Sequence, residues 1–268
     1  MSCFILSNDE NIVKSLRLKD VPADYDGPII SVSDGNKKLK STKGGTNEYG
    51  EYIPSTAWLI FNINAVTTCP FRTKMCGGYE RGERRYNDDG TIKTGVCYAA
   101  RPEWYYPTVL PARRKNLLAS LSDNFVPMMT AIILRRAKSV KKERLIVRIH
   151  EAGDFYSREY MLKWLEIARN CADCVKVVFW AYTKSFEYFD GVELPSNFKL
   201  RASIFPDTKG SQLEIIRRNK WPVYHVVPSL DKKHAFYGGV IRECRCKDCA
   251  DCNQCGDMSI ADIACKEH

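Results

Sequence analysis

From residue 57 onward, short apolar runs rich in β-branched residues alternate with stretches of helical periodicity, and this alternation constrains the fold more than any other feature. Ala57–Ile63, Leu145–His150, Val175–Tyr182, Lys199–Phe205 and Val223–Val227 read as strands. Helices are expected near 112–121, 126–138, 158–169 and 212–218, with Pro127 tolerated in the first turn of the second. In the third, Met161, Trp164, Leu165 and Ala168 fall at i, i+3, i+4 and i+7, and Ser157 is a suitable N-cap. Strand followed by helix predicts parallel βα units, hence an α/β fold: a partial or small βα barrel with helices outside, or an open parallel sheet. In both arrangements the loops after the C-terminal ends of the strands share one face. Those loops carry Cys69 and Cys76, the segment His150 to Asp154, Thr183 to Ser185, Pro206 with Asp207, and Pro228 with Ser229.

A chain of 268 residues with 44% hydrophobic content can build a core. The expected organisation is one barrel-like domain over 1–240, with an irregular N-terminal region 1–55, and a cysteine-rich cluster-binding extension over 241–268. No apolar run approaches the roughly 20 residues a bilayer demands, so no membrane partner is expected. The N-terminus lacks a charged segment followed by a long apolar one, which points to a cytoplasmic location. In a reducing compartment the 12 cysteines read as metal ligands rather than as a disulfide framework.

Six of the cysteines lie in the last 25 residues: Cys244, Cys246, Cys249, Cys252, Cys255 and Cys265. Three consecutive two-residue gaps let a short loop wrap a metal centre, as in ferredoxin-type runs that hold a [4Fe–4S] cluster. Zinc is the competing metal, although its sites usually separate two cysteine pairs by a longer loop. A looser set, Cys69, Cys76 and Cys97, follows the first core strand. Three thiolates rather than four would leave one iron open to a substrate or cofactor. Cys171 and Cys174 read as small buried hydrophobes, and Cys3 carries no information.

His150, beside Glu151 and Asp154 at a strand end, is a candidate general acid, base or ligand. Thr183, Lys184 and Ser185 are candidates for contact with a phosphate or carboxylate. The net charge of +9 and basic clusters at 37–43, 113–115 and 135–144 are compatible with a nucleic-acid partner, DNA or RNA. Trp104, Tyr105 and Tyr106 beside Arg101 would suit base stacking, with aromatic core packing as the other expectation.

The order Asn36-Lys37-Lys38-Leu39, Thr68-Cys69-Pro70-Phe71, Cys97-Tyr98-Ala99-Ala100, His150 to Phe155, Ala181 to Ser185 and Cys249 to Cys255 resembles the phage gene product 88 family, from about residue 30 to the end. A weaker likeness is to radical S-adenosylmethionine enzymes, in which three cysteines after the first barrel strand hold a [4Fe–4S] cluster. That likeness implies S-adenosylmethionine as a cofactor, with Cys69, Cys76 and Cys97 on the cluster and Tyr98 and Gly153 among the cofactor contacts. It implies Glu151 and Asp154 at the next strand's end, and an auxiliary second cluster in the C-terminal array. The usual compact C-x3-C-x2-C spacing is absent. A non-catalytic nucleic-acid-binding protein with structural iron–sulfur or zinc sites is the rival expectation, and a replication nickase ranks below both.

Overall fold

The computed structural model describes residues 29–46, 50–79, 83, 86–90, 93, 95–232, 234–244 and 249–266. Cys3 and Cys246 lie outside them. Ten strands are described: β1 Val32–Ser33, β2 Gly45–Thr46, β3 Tyr52–Ile53, β4 Thr56–Phe61, β5 Arg144–Ile149, β6 Val177–Thr183, β7 Phe198–Ile204, β8 Val223–Val227, β9 Ile241–Glu243 and β10 Asp262–Lys266. The helices are α1 Lys74–Gly77, α2 Arg101–Tyr105, α3 Val109–Leu121, α4 Phe125–Ser139, α5 Arg158–Asn170, α6 Phe186–Phe189, α7 Gly210–Asn219 and α8 Cys249–Cys252.

Eight strands form one sheet in the order β1-β4-β5-β6-β7-β8-β10-β9, and all its pairings are parallel except β1 with β4. Strands β4 to β8 lie side by side in chain order. A sequential order with crossovers of one hand stacks the helices on one face of the sheet, as in a barrel, rather than on both. Here, however, β1 and β9 stand at two separate edges, so the described pairings form a mixed, mostly parallel sheet and do not close a ring.

Period-two alternation sorts each strand between two faces. Leu59, Phe61, Val147, Ile149, Phe179, Leu200, Ala202 and Val223 face the helices, where they meet Phe125, Met129 and Ile133 of α4 and Met161, Trp164 and Leu165 of α5. Ser157 caps α5 by accepting from the Tyr160 N–H at 3.1 Å. Cys171 and Cys174 belong to this apolar cluster, as small hydrophobes would. The opposite face carries Trp58, Ile60, Ile146 and Trp180, and Cys249 and Cys255 pack onto them. Trp58 and Trp180 stack at 5.7 Å between centroids. Both faces are thus covered, which is why the six residues of β4 are all buried.

The cysteine-rich segment contributes strands β9 and β10 to the sheet. Strand β10 is inserted between β8 and β9, with Cys265 opposite Val226. Among the described residues no single helix is long and apolar enough to cross a membrane.

Candidate metal centre at the strand ends

The chain leaving β4 is laced to the chain leaving β5. Asn62 Oδ1 accepts from the N–H groups of Glu151 and Ala152 at 2.8 and 3.0 Å, and the Ile63 N–H donates to the Ala152 carbonyl. Gly153 makes this approach possible. Its φ is +85°, and a Cβ there would stand 2.4 Å from Ile63 Cγ1 and 2.7 Å from Thr68 Oγ1.

Beyond Ile63 the loop folds on itself. The Cys69 N–H donates to the Val66 carbonyl, and Arg72 donates to the carbonyls of Val66 and Cys69 while lying 4.3 Å from the Tyr79 ring centroid. Thr73 caps α1 by accepting from the Cys76 N–H at 3.2 Å. The Cys97 N–H donates to the Cys76 carbonyl at 3.0 Å, and the Val96 N–H to the Met75 carbonyl at 2.9 Å. Gly95 is required at this crossing, because a Cβ would fall 2.3 Å from the Cys76 carbonyl oxygen. Twenty residues of sequence therefore separate two cysteines whose backbones are hydrogen-bonded.

Electrostatics tie the three thiols to two charged neighbours. Cys76 and Cys97 share a side-chain hydrogen bond that lowers the Cys76 pKa to about 6, with help from Lys184, while the Cys97 pKa is raised by the same bond and by burial. Burial raises the Cys69 pKa, and Asp154 and Cys76 add to it. Burial works against the Lys184 ammonium, but the neighbouring Cys76 thiolate and Asp154 carboxylate outweigh it, and its pKa is raised. Lys184 also sits 4.7 Å from the Phe205 ring centroid and 3.4 Å from Ser203 Oγ. Cys69, Cys76, Cys97, Asp154 and Lys184 thus form one interacting group.

Asp154 is buried, and its carboxylate accepts from the Phe155 N–H, the Thr183 hydroxyl and the Lys184 N–H at 2.7 to 2.8 Å. Burial raises its pKa, and those donors moderate the rise. Ser185 donates to the Phe155 carbonyl, and its N–H donates to Thr183 Oγ1. Thr183 and Ser185 accordingly fasten the β5 and β6 loops together. Glu151 receives the Asn36 side-chain amide, and the Tyr98 hydroxyl donates to the Glu151 carbonyl. His150 lies elsewhere: its ring packs with Phe61, Phe155 and Trp164 on the helix side, and Nε2 is 2.7 Å from the Tyr160 hydroxyl. Burial holds its pKa well below that of a free imidazole.

The second cysteine group is fastened from beneath. Fully buried Arg201 donates to the carbonyls of Cys255, Asp257 and Ile260, and the Trp180 indole N–H donates to the Cys255 carbonyl at 3.0 Å. Arg144 donates to the Asn253 side chain, and the Cys249 N–H to the Lys38 carbonyl. Cys244, Cys255 and Cys265 act together on Tyr224, whose pKa is raised first by burial and then by those thiols. Burial raises the Cys265 pKa, and the Tyr224 hydrogen bond only partly opposes it.

As they stand among the described residues, no three His, Cys, Asp or Glu side chains are grouped to hold a metal ion. The donors themselves suit one. One buried and two half-buried thiols beside an ammonium match the soft-ligand chemistry of iron–sulfur clusters and zinc, and an adjacent cation offsets the charge of several thiolates. Sequence reasoning passes over Arg148, Arg201 and Tyr224. Their signal is polar side chains recurring at period two inside otherwise apolar strands. Arg148 is buried, lies 4.2 Å from the Tyr182 ring centroid and forms no ion pair among the described residues.

No solved structure matches this chain. The Gene 88 protein of Mycobacterium phage D29 is 33% identical over 121 residues, which cover 42% of this chain and 48% of that protein. The chain therefore spans about half the length of the curated relative it matches. The family model described as Gene product 88 matches residues 30–266, so the chain belongs to the Gene product 88 family of phage proteins.

Proposed function

We propose that this is an iron–sulfur protein whose Cys69, Cys76 and Cys97 hold a [4Fe–4S] cluster at the C-terminal ends of the strands. On this reading the C-terminal cysteines hold a second cluster, and the sequentially ordered sheet is an incomplete βα barrel. The observation that carries it is the backbone pairing of Cys97 with Cys76 across twenty residues of sequence, with Cys69 and Lys184 coupled to both through charge. A cluster held by three protein thiolates keeps one iron for an exogenous ligand. With S-adenosylmethionine there, it supplies one-electron reduction that starts radical chemistry. The chain's own residues have simpler tasks. Lys184 balances thiolate charge, Asp154 positions the Lys184 backbone, and Gly153 lets the two loops meet. The net charge of +9 favours a nucleic acid or nucleotide as the substrate, in the cytoplasm.

Anaerobic purification with iron, acid-labile sulfide and zinc analysis tests this reading. Iron and sulfide in matching amounts are expected, and Cys69→Ala, Cys76→Ala and Cys97→Ala should each remove one cluster and leave the other. Colourless protein with stoichiometric zinc would overturn it. Incubation of the reduced protein with S-adenosylmethionine should yield cleavage products; iron without cleavage would reject the radical step alone. The second reading is a non-catalytic nucleic-acid-binding protein with structural iron–sulfur or zinc sites. What favours it is the array's firm attachment to the sheet through Arg201 and Trp180, as a structural staple requires.

A further inference from the structure

The turn that holds Cys97 runs directly into α2, and α2 presents the most concentrated exposed aromatic surface of the described residues. Trp104, Tyr105 and Tyr106 are 50, 75 and 61% exposed. Tyr98 is also exposed, so four of the eleven large hydrophobic side chains that reach solvent fall within 98–106, and all four are aromatic. The core-packing expectation for Trp104 to Tyr106 is therefore not met. The side chains of Trp104, Tyr105 and Tyr106 make no hydrogen bond and no ring contact among the described residues. Exposing three consecutive aromatic rings leaves apolar area in water at about 25 cal/mol per Å². Such a patch marks a binding surface more often than it occurs by chance on a free surface.

The surrounding charge selects the occupant. Arg101 and Arg114 are exposed and form no ion pair among the described residues. Glu103, the acid of the same helix, is held by Arg113 at 2.8 Å and by the Ala65 N–H at 2.6 Å, so it does not cancel them. Behind the ridge lies a cleft of about 180 Å³, lined by Ala65, Tyr79, Cys97, Arg101 and Trp104 among others. Aromatic faces beside unpaired guanidinium groups fit stacked bases joined by phosphates, and unpaired bases expose the faces that stacking requires.

We propose that Trp104, Tyr105, Tyr106 and Arg101 form a stacking surface for a single-stranded nucleic acid, with the cleft beside Cys97 receiving one of its bases. This deepens the reading of nucleic acid as the substrate class and rests on it. Cys97 is joined to α2 by the Ala100 N–H donating to its carbonyl and the Glu103 N–H donating to that of Ala100, so a strand on the ridge lies at the edge of the thiol group.

The test is a titration of the full chain with fluorescently labelled oligothymidylate and oligouridylate of about 12 nucleotides, within the usual span of single-strand sites. Tryptophan quenching should report binding to at least one probe, and a duplex of the same length should compete poorly. Trp104→Ala with Tyr105→Ala and Tyr106→Ala should weaken binding at least about 100-fold, from three rings with stacking worth about 1–3 kcal/mol per base. Arg101→Gln should weaken it less and make the logarithmic salt dependence shallower by about one unit. Tyr52→Ala, at the opposite end of the sheet beside Glu143, serves as the control and should bind as the parent does. Circular dichroism verifies folding, and these exposed positions leave the core untouched. Undiminished binding by the triple variant would overturn the proposal. So would no binding by the parent at low salt, including a case where the triple substitution instead alters self-association. Iron analysis on the same preparation separates the two claims, since binding can fail with iron present and iron can be absent with binding intact.

Discussion

The two cysteine groups belong to one sheet but are held by different means. The C-terminal array hangs from the sheet by long side chains that reach its backbone carbonyls: Arg201 to Cys255, Asp257 and Ile260, and Trp180 to Cys255. The group of Cys69, Cys76 and Cys97 is held by local turns, by two glycines at close crossings, and by charge shared with Lys184 and Asp154. An array fixed through its backbone keeps its place whatever its thiols bind. Thiols that interact through charge rearrange when that charge changes. The first arrangement suits a structural or electron-transfer centre, and the second suits a reactive one.

Removing the anchor under the array should separate the groups most sharply. Arg201→Met keeps an apolar stem but deletes the guanidinium's hydrogen bonds to the carbonyls of Cys255, Asp257 and Ile260, although Cys255 keeps the Trp180 N–H and Asp257 the Ile260 N–H. Hydrogen bonds from a charged donor are worth about 1.5–3 kcal/mol each, so a total loss of about 3 kcal/mol or more is expected. Urea unfolding measures that loss, and limited proteolysis with mass spectrometry locates it. Cleavage should concentrate in 244–265, while labelling of Cys69, Cys76 and Cys97 changes little. An array as protected as in the parent would mean that the guanidinium is not its anchor.

The reverse experiment acts at Gly153. An alanine there must adopt a left-handed φ and place its Cβ against Ile63 and Thr68. Backbone strain and overlap together should cost about 2–4 kcal/mol. Thiol-reagent rates should rise at Cys69, Cys76 and Cys97 and stay unchanged in the array. Equal acceleration at both groups would show that the two are one cooperative unit.

These contrasts also mark what the sequence makes legible. Strands β4, β5 and β8 and helix α5 follow from apolar runs and a capped 3.6-residue period, and they emerge close to their expected limits. The strand-end position of the cysteine trio follows from the same pattern. His150 does not, and the reason is local. Alternation from Val147 and Ile149 would turn its ring to the face opposite the helices, but its φ of +59° interrupts the period and directs it among the core aromatics. Strands β9 and β10 are equally hidden. Each is short, and β10 begins with the buried acid Asp262, whose burial depends on His225 across the sheet. A segment dense in cysteine reads as a loop until its partner strand is known.

Asp154→Asn examines the charge within the trio at smaller cost. The carboxylate accepts three donors, whereas an amide presents one acceptor oxygen and an N–H2 group that faces a donor. A loss of about 1–3 kcal/mol is expected by thermal or urea unfolding. The neighbouring Lys184 also loses a carboxylate that stabilises its ammonium. Parent-like stability would show that the buried charge contributes nothing beyond shape.

The smallest effect is expected at the join between the array and the main sheet. Asp262 Oδ1 is 3.0 Å from His225 Nε2, and Oδ2 accepts from the Tyr237 N–H at 3.2 Å. Burial alone would raise its pKa, but the His225 hydrogen bond and the backbone donors prevail and lower it. A lowered folded-state pKa means the carboxylate stabilises fully above its unfolded value of about 3.9 and progressively less below it. The contribution disappears once the pH falls through the depressed folded value. Asp262→Asn should therefore be less stable than the parent by about 1 kcal/mol near pH 6, and the gap should close in more acidic solution. Urea unfolding of both proteins between about pH 6 and pH 3 checks this. A gap that persists unchanged into acid would assign the role of Asp262 to packing, and the attachment of β10 to β8 would then rest on the strand ladder alone.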